Sequence, residues 1–439
     1  MKDKLVRGVG RVLPGAATRA VRHGYRKTRV HVASSRYGYA ARYLKTIAVT
    51  GTSGKTTTVH YLGEILKSAG FTTALATTLG VEINGKLTSD KPLTRALGWH
   101  KFFRDAKKAD VDYVVIEVSA YDLDAHLLDT VPIECVVLTG TAPDNLHYFA
   151  DAAAYTATLS SLLARTPRYI VLNADDENFA ELQRSEAGEH KISYGANESA
   201  DCRIRQVKLY KKGSEVQLLI DHHTTLELGT ALPGRHNVYN MTAAAMAAYL
   251  MYIKLEAIQD GIANLEPLPH RFERLALDKP YDVIVDSAHT ATSLESVLES
   301  ARGMTKNRLI VVLSTDAEDT TQLAPLGEVA ARLADRIFVT HAAASNDNTP
   351  ARAAFMSGIA SAGGEPKAEE IADARDAVSK AMSVARTGDT VIAFGVESSS
   401  RFIDETSQSL RSKDERELSE PAKKESAVVV DSPDDIRDT

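Results

Sequence analysis

Residues 46–58 read TIAVTGTSGKTTT, in which an apolar run leads directly into a glycine-bracketed turn. Ile47 to Val49 suit a buried strand, and Lys55 to Thr58 suit the start of a helix. Between them, Gly51 and Gly54 let backbone N–H groups converge on an anion at the positive end of the helix dipole. A simple turn needs neither the lysine nor three successive threonines. The stretch therefore predicts a strand, a phosphate-binding loop and a helix.

The loop residues have distinct predicted roles. Lys55 would reach the β and γ phosphate oxygens of a bound nucleotide, and the Thr56 hydroxyl would hold Mg²⁺. The generic phosphate-binding loop has four residues between its glycines, whereas only Thr52 and Ser53 separate Gly51 from Gly54. The residues that we expect to contact the nucleotide are Gly51, Thr52, Ser53, Gly54, Lys55, Thr56 and Thr57.

Apolar runs alternate with helical patterns through most of the 439 residues. Continuous runs of this kind are typical of strands buried on both faces, so we predict an α/β fold with a mostly parallel sheet. The runs cover residues 47–50, 113–119, 135–140, 169–173, 281–288, 308–314, 336–340 and 390–395. Residues 201–228 alternate in polarity and predict an antiparallel hairpin, and the Ala-rich residues 242–253 predict a core helix.

Residues 263–271 read ANLEPLPHR, and the two prolines after a helical pattern predict a domain boundary. The tail mixes charged residues with Ser and Pro and has one short apolar run, Val428 to Val430, which is typical of disorder. We therefore predict four segments: a basic arm at 1–45, a central ATP-binding domain at 46–268, a Rossmann-like C-terminal domain at 269–405 and a disordered tail at 406–439.

The composition is that of an ordinary soluble globular protein, and no apolar run approaches the ~20 residues that span a bilayer. Cys135 and Cys202 fit no metal-ligand spacing, so we expect a reduced, cytoplasmic setting. We recognise no nucleic-acid-reading module and expect no nucleic-acid partner.

The first 45 residues hold twelve Lys or Arg against the single acid Asp3, and tyrosines punctuate them. Two interpretations of this arm remain open. It would lie on an anionic membrane surface or grip an anionic substrate, or it would be a solvated arm that packs loosely before the first strand.

Polar residues follow several predicted strands, at the edge where open α/β sheets bind ligands. Glu117 follows four apolar residues, which a merely solvated acid explains poorly, and it would complete a Mg²⁺ site with Thr56. Thr139 and Asp144 follow the next run. Asp144 would position water or metal, but Pro-Asp-Asn is also ordinary turn chemistry.

The motif GRHNVYN begins at Gly234 and leads into the apolar helix. His236 or Asn237 would read a base edge there, although Asn237 is equally suited to cap the helix. In the second domain Asp286 suits a ribose hydroxyl, and His289 suits a phosphate or nucleotide edge. Arg271 would reach the nucleotide from the second domain.

In these motifs the chain resembles the Mur ligase family, and within it most resembles the UDP-N-acetylmuramyl-tripeptide synthetases. The matching motifs, in chain order, are TGTSGKTTT, IEVSAYDL, VLNADDE, GRHNVYN, HRFERL and VDSAHT. The resemblance covers residues 46–403. It implies an ATP-dependent, ADP-forming ligase that adds an amino acid to a muramyl-peptide-like carboxylate through an acyl phosphate, in peptidoglycan precursor synthesis. It also implies catalytic roles for Lys55, Thr56, Glu117 and His289, and contact of Thr88 and Ser89 with the muramyl peptide.

Four departures from the family pattern limit this expectation. Leu159 stands where the family has a carbamylated, metal-bridging lysine, and Asn145 stands where it has a metal-binding histidine, with His147 nearby. Only the basic arm precedes the phosphate loop, where the family has a domain that grips the uridine nucleotide. The Asp-Asn-Pro-Arg element that selects diaminopimelate is not found, and residues 340–350 read THAAASNDNTP instead.

Three functions therefore remain open. The first is a Mur-type amino acid ligase. The second is another ligase of the same architecture, either of the folylpolyglutamate or polyglutamate type or the synthetase subunit of a lipid II amidotransferase. The third is a nucleotide-binding protein that has lost turnover together with the lysine.

Overall fold

The computed structural model describes most of the chain between residues 15 and 395. The described ranges are 15–144, 148–166, 168–185, 187–277, 279–314, 323–341, 349–364, 367–395 and 428–430. For residues 15–23, 341, 349 and 428–430 the backbone alone is described. In these ranges two largely parallel sheets carry the fold, which confirms the predicted α/β class.

The first sheet has twelve strands in the described part of the chain. They are β1 (Lys45–Thr50), β2 (Thr73–Thr77), β3 (Gly80–Ile83), β4 (Lys86–Ser89), β5 (Tyr113–Val118), β6 (Cys135–Leu138), β7 (Tyr169–Asn173), β8 (His190–Gly195), β9 (Cys202–Tyr210), β10 (Gly213–Ile220), β11 (Thr224–Thr230) and β18 (Val428–Val430). Their spatial order is β11-β10-β9-β8-β7-β6-β1-β5-β2-β3-β4, with β18 also paired to β9. The strands from β9 to β2 in this order pair in parallel, and antiparallel strands extend both ends.

Helices cover both faces of the first sheet, which explains why its central strands are apolar throughout. The helices are α1 (Gly15–Arg36), α2 (Lys55–Ser68), α3 (Ala96–Lys108), α4 (Ala120–Asp124), α5 (Ala152–Leu163), α6 (Phe179–Gln183), α7 (Arg235–Leu250) and α8 (Leu255–Asn264), with a short 3₁₀ turn at Ala40–Tyr43. The core on one face contains side chains of α2, α7 and α8. The core on the other contains side chains of α1, α3 and α5.

The second sheet has the order β12-β13-β17-β14-β15-β16, and only β12 is antiparallel to its neighbour among the described strands. Its strands are β12 (Glu273–Leu275), β13 (Asp282–Asp286), β14 (Leu309–Leu313), β15 (Arg336–His341), β16 (Ala368–Asp373) and β17 (Thr390–Phe394). Its helices are α9 (Ala291–Met304), α10 (Leu323–Leu333), α11 (Thr349–Ser361) and α12 (Ala374–Val384). Helix α12 packs on one face and the other three pack on the opposite face.

All eight apolar runs form strands, and residues 201–228 form the predicted hairpin as β9 and β10, with β11 added beside it. The predicted core helix begins earlier than expected, at Arg235, and α7 is buried along most of its length. Cys135 and Cys202 are free, buried thiols. In the predicted tail, β18 pairs with β9, and the other residues lie outside the described ranges. No helix in the described part of the chain is long and apolar enough to cross a membrane.

Candidate active site

The predicted phosphate loop lies between β1 and α2, and its two glycines adopt a backbone that other residues rarely adopt. Gly51 has φ 128° and Gly54 has φ 82°. A Cβ atom on Gly51 would lie 2.3 Å from Thr139 Oγ1, and one on Gly54 would lie 2.1 Å from Asn240 Oδ1. Steric contact and backbone conformation therefore both require glycine at these positions.

Lys55 lies at the first position of α2, and its side chain folds back over the loop. Its ammonium group donates hydrogen bonds to the carbonyl oxygens of Gly51, at 2.9 Å, and Thr52, at 2.8 Å. Burial lowers the pKa of Lys55, and the nearby carboxylates of Glu117 and Asp144 oppose this shift. Ser53 is the exposed residue of the loop, whereas Thr52, Thr56 and Thr57 are buried. The lysine is thus held among the groups that would surround a phosphate.

Thr56 and Glu117 meet because β5 lies directly beside β1, with Glu117 in register with Val49. The Thr56 hydroxyl donates to Glu117 Oε2 at 2.8 Å. Thr78, which the sequence reasoning missed, follows β2, and its backbone N–H donates to the same oxygen at 3.0 Å. Hydroxyl and carboxylate oxygens are the ligands that Mg²⁺ prefers, so this pair fits the ion that was predicted for it. No group of three or more His, Cys, Asp or Glu gathers elsewhere among the described residues to form an alternative metal site.

Arg271 reaches this cluster from the segment that leads into the second sheet. Its Nη2 atom donates to Thr56 Oγ1 at 3.1 Å and to Thr78 Oγ1 at 3.0 Å. The Arg271 side chain therefore reaches the end of the phosphate loop, and its contact with the nucleotide stays a prediction. The guanidinium links the second sheet to the end of the loop, close to where the terminal phosphate of a nucleotide would be held.

The backbone on both sides of Arg271 is left-handed, with φ 55° at His270 and φ 51° at Phe272. Four hydrogen bonds among the described residues hold this segment, one of them from the Arg271 N–H to the Leu268 carbonyl. The His270 N–H donates to Glu273 Oε2, the Ser287 N–H donates to the His270 carbonyl, and the Phe272 N–H donates to Asp286 Oδ2. Such a conformation costs free energy in residues other than glycine, so the surrounding bonds must maintain it.

Asp286 ends β13, as predicted, but its carboxylate already has backbone partners. Besides the Phe272 N–H, it accepts a hydrogen bond from the Ala288 N–H at 2.7 Å. Burial raises the pKa of Asp286, and the Arg271 guanidinium opposes this shift. The structure therefore gives Asp286 a role in holding the Arg271 segment, and its contact with a ribose stays a prediction.

His289 follows β13 of the second sheet, and Asp144 follows β6 of the first. Their Nε2 and Oδ2 atoms are 3.5 Å apart. The hydrogen bond to the Asp144 carboxylate raises the pKa of His289, although the imidazole side chain is 62% exposed. Thr139, on the same loop as Asp144, donates from its hydroxyl to the Ser53 carbonyl at 2.6 Å and so supports the phosphate loop. Asn145 and His147 lie outside the described residues, so their metal-binding role is untested.

The start of α7 carries His236 and Asn237, and Asn240 one turn later lies against Gly54 of the phosphate loop. Gly234 is the N-cap of α7, so the alternative in which Asn237 caps the helix is wrong. Asn237 is buried, donates from Nδ2 to the Pro233 carbonyl and accepts a hydrogen bond from Asn240. His236 packs against Phe272, and burial lowers its pKa to about 4. Its Nδ1 atom is buried without a hydrogen-bond partner, which marks a polar group that a ligand would satisfy.

Thr88 and Ser89 lie on β4, at the edge of the first sheet. The Thr88 hydroxyl donates to the Val81 carbonyl at 3.0 Å, and the Ser89 hydroxyl accepts from the Lys91 N–H at 3.2 Å. Three strands separate β4 from β1, so the sheet does not bring this pair into the cluster around Lys55. Their contact with a muramyl peptide stays a prediction.

Leu159, on α5, is fully buried in the apolar core. One turn earlier, the Tyr155 hydroxyl lies 3.1 Å from Thr52 Oγ1, and burial raises the pKa of Tyr155 to about 12. The sequence reasoning missed Tyr155 because an isolated tyrosine on an apolar helix looks like a core residue. The side of the site where a carbamylated lysine was considered is therefore occupied by aliphatic and aromatic groups.

Two family models match the chain. The Mur ligase middle domain matches residues 49–248, and the Mur ligase glutamate ligase domain matches residues 270–396. The UDP-N-acetylmuramoyl-L-alanyl-D-glutamate–2,6-diaminopimelate ligases of Bacillus velezensis and Bacillus licheniformis are each 30% identical to the chain, over 370 and 385 residues. The alignments cover 82% and 85% of the chain and 74% and 78% of those proteins.

Solved structures resemble most of the chain. A UDP-N-acetylmuramoyl-L-alanyl-D-glutamate–2,6-diaminopimelate ligase has a TM-score of 0.59 and 26% identity, covering 84% of this chain and 77% of its own. Folylpolyglutamate synthase from Mycobacterium tuberculosis, complexed with ADP and AMPPCP, has a TM-score of 0.72 and 17% identity, covering 86% and 94%. At that identity the second comparison shows a shared fold alone.

Proposed function

The chain belongs to the Mur ligase family of ATP-dependent, amide-forming enzymes, and we propose that it adds an amino acid to a carboxylate of a muramyl peptide during peptidoglycan precursor synthesis. The observation that carries this proposal is the cluster at the carboxyl ends of β1 and β5. There Lys55, Thr56, Glu117 and Arg271 combine two cations, a hydroxyl and a carboxylate around one loop. That combination suits phosphoryl transfer, in which catalysis is mostly positioning and electrostatics.

The proposed reaction has two steps. A substrate carboxylate is ionised at neutral pH and a poor electrophile, so its oxygen first attacks the γ-phosphorus of ATP, the bond to ADP breaks and an acyl phosphate forms. The amine lone pair then attacks the acyl carbon, the bond to phosphate breaks and the nitrogen loses its proton. Lys55 neutralises charge that develops on the transferring group. Arg271 orients the same group from the second sheet.

Thr56 and Glu117 would hold Mg²⁺, which would supply further charge neutralisation at the phosphates. We also propose that His236 and Asn237 line the adenine side and that Asp286 contacts the ribose. The unpaired Nδ1 of His236 supports the first assignment, because a base edge offers it a hydrogen-bond partner. His289 would contact a phosphate, and Thr88 and Ser89 would contact the muramyl peptide.

A substrate panel tests this proposal. The pure protein is incubated with Mg²⁺, ATP, one muramyl peptide and one amino acid at a time, with ADP formation and product mass as readouts. We expect ADP only with a matching pair and no ADP from the Lys55→Ala variant. Turnover on folate or glutamate polymers instead would favour the folylpolyglutamate type, and a requirement for a glutaminase partner would favour the amidotransferase subunit. ATP binding without turnover on any pair would favour a nucleotide-binding protein, the alternative that Leu159 supports.

We further propose a cytoplasmic location in which the outer face of α1 contacts an anionic lipid surface. In support of this contact, Arg29 lies over the ring of exposed Tyr25 on α1, Val32 is also exposed there, and exposed Arg42 and Tyr43 follow on the 3₁₀ turn. Sedimentation with phosphatidylglycerol vesicles tests it. Replacing the exposed arginines with glutamine should abolish binding, and unchanged binding would contradict the proposal.

A further inference from the structure

Helix α1 has two unlike faces in its described part. Val30 and Ala33 are buried in the core that α1 shares with α3, whereas Val32 is 63% exposed. Arg26 lies one turn before Val30 and is half-buried, so it faces the protein together with this apolar stripe. A cation on the inner face of an otherwise apolar contact requires specific partners, since burial of an unpaired charge is costly.

Arg26 has those partners on two other elements. Its Nη1 atom donates to the Asp124 carbonyl at 3.0 Å and forms an ion pair with the Asp124 carboxylate. Its Nη2 atom donates to the Tyr148 hydroxyl at 3.2 Å, and that hydroxyl donates to the same carboxylate at 2.5 Å. Each of the three side chains therefore contacts the other two, and these contacts fix the position of the Tyr148 ring.

A row of aromatic rings connects Tyr148 to the phosphate loop. The centroids of Tyr148 and Phe149 are 5.0 Å apart, and those of Phe149 and Tyr155 are 5.3 Å apart, both pairs edge-to-face. The Tyr155 hydroxyl lies 3.1 Å from Thr52 Oγ1. The Thr52 carbonyl in turn accepts a hydrogen bond from Lys55 Nζ. Contacts are therefore continuous from α1 to the lysine.

We propose that Arg26 is a positioning residue for the reaction: by fixing Tyr148 it sets, through Phe149 and Tyr155, the orientation of Thr52 and the loop that holds Lys55. This inference rests on the proposed ligase function. Its physical basis is that packed rings have few alternative positions, so a displaced ring displaces its neighbour. Because Leu159 offers no charge on this side of the site, the loop there is oriented by packing and a hydroxyl contact.

Steady-state kinetics of four variants test the inference, with kcat and KM for ATP measured from ADP formation and the midpoint of thermal unfolding measured in parallel. Arg26→Ala and Tyr148→Phe should each lower kcat about tenfold, less than the ~100-fold that a 1 Å misplacement causes. The double variant should be no worse than either single variant, because both break one coupled set. Arg26→Lys should recover part of the loss. The matched control is Arg168→Ala, which breaks a 2.9 Å ion pair with Glu134 at the amino ends of β6 and β7. It should keep kcat within twofold.

Three results would overturn the inference: equal kcat values for Arg26→Ala and Arg168→Ala, additive losses in the double variant, or a loss explained by the unfolded fraction at the assay temperature. A wild-type protein that binds ATP without turnover would overturn the proposed function instead. ATP affinity would then be the readout, and the inference would stand only if Arg26→Ala weakened it about tenfold and Arg168→Ala did not.

Discussion

On the β5 side of the phosphate loop, Thr56, Glu117 and Thr78 lie within hydrogen-bond distance of one another, whereas on the α5 side Phe149, Tyr155 and Leu159 present rings and aliphatic carbon. The first side can neutralise charge and bind a hard cation. On the second side a tyrosine hydroxyl, aromatic rings and aliphatic carbon hold the loop by packing. The oxygens of Thr56 and Glu117, which would hold a hard cation, therefore lie on the β5 side.

The largest effect should come from Glu117, on the polar side. Glu117→Gln keeps the size of the side chain but removes the negative charge that would hold Mg²⁺ with Thr56. We expect kcat to fall about 100- to 1000-fold and the Mg²⁺ concentration for half-maximal activity to rise, as measured by ADP formation across a MgCl₂ series. Glu256→Gln, at an exposed position of α8, is the control and should leave both values unchanged. A kcat for Glu117→Gln within threefold of wild type would show that the charge on the polar side of the loop does not support catalysis.

The second effect concerns the apolar side and is a loss of stability. Leu159→Lys places an ammonium group in a fully buried apolar core, so we expect the free energy of unfolding to fall by about 3–5 kcal/mol in urea denaturation. Leu159→Met, which nearly conserves volume, should cost less than ~1.5 kcal/mol. A stable Leu159→Lys protein whose turnover rises when bicarbonate is added would show that the α5 side of the site accommodates a charged group.

The smallest effect lies between the two sheets, at His289 and Asp144. The pKa of His289 is raised in the folded protein, so its contribution is fully present below the unfolded value of ~6.5 and is lost as pH rises through the folded value. Because the imidazole is largely exposed, we expect less than about 1 kcal/mol. His289→Gln should therefore lower the thermal midpoint at pH 5.5 and match wild type at pH 8.5. A difference that grew with pH would contradict this sign.

Local sequence was sufficient for the eight apolar strands, for the hairpin of β9 and β10 and for part of the site. The eight strands are continuous apolar runs, and Lys55 and Thr56 follow one of them directly, so they could be placed without knowledge of the fold. The strands that were missed are short or of mixed composition and form no continuous apolar run: β2, β3, β4, β8, β11, β12 and β16. Glu117 was found because an acid after four apolar residues is unusual.

The rest of the site depends on contacts between distant parts of the chain. Thr78 follows a short strand of small residues, and nothing in that local pattern indicates that it reaches Glu117. Arg26 is 122 positions from Tyr148, and only the tertiary packing of α1 brings them together. Asn237 was the residue that the sequence suggested as a cap for α7, but the helix begins at Arg235 and Gly234 is its N-cap.

The left-handed backbone at His270 and Phe272 limits how this protein can change over evolutionary time. A residue that replaces either one must first tolerate a positive φ, whatever the chemistry of its side chain. Glycine and asparagine are admissible, whereas valine, isoleucine and proline are excluded whatever space surrounds them. Accepted substitutions on both sides of Arg271 are therefore expected mainly among residues that tolerate positive φ. This restriction applies even though Arg271 itself is the residue whose side chain contacts the site.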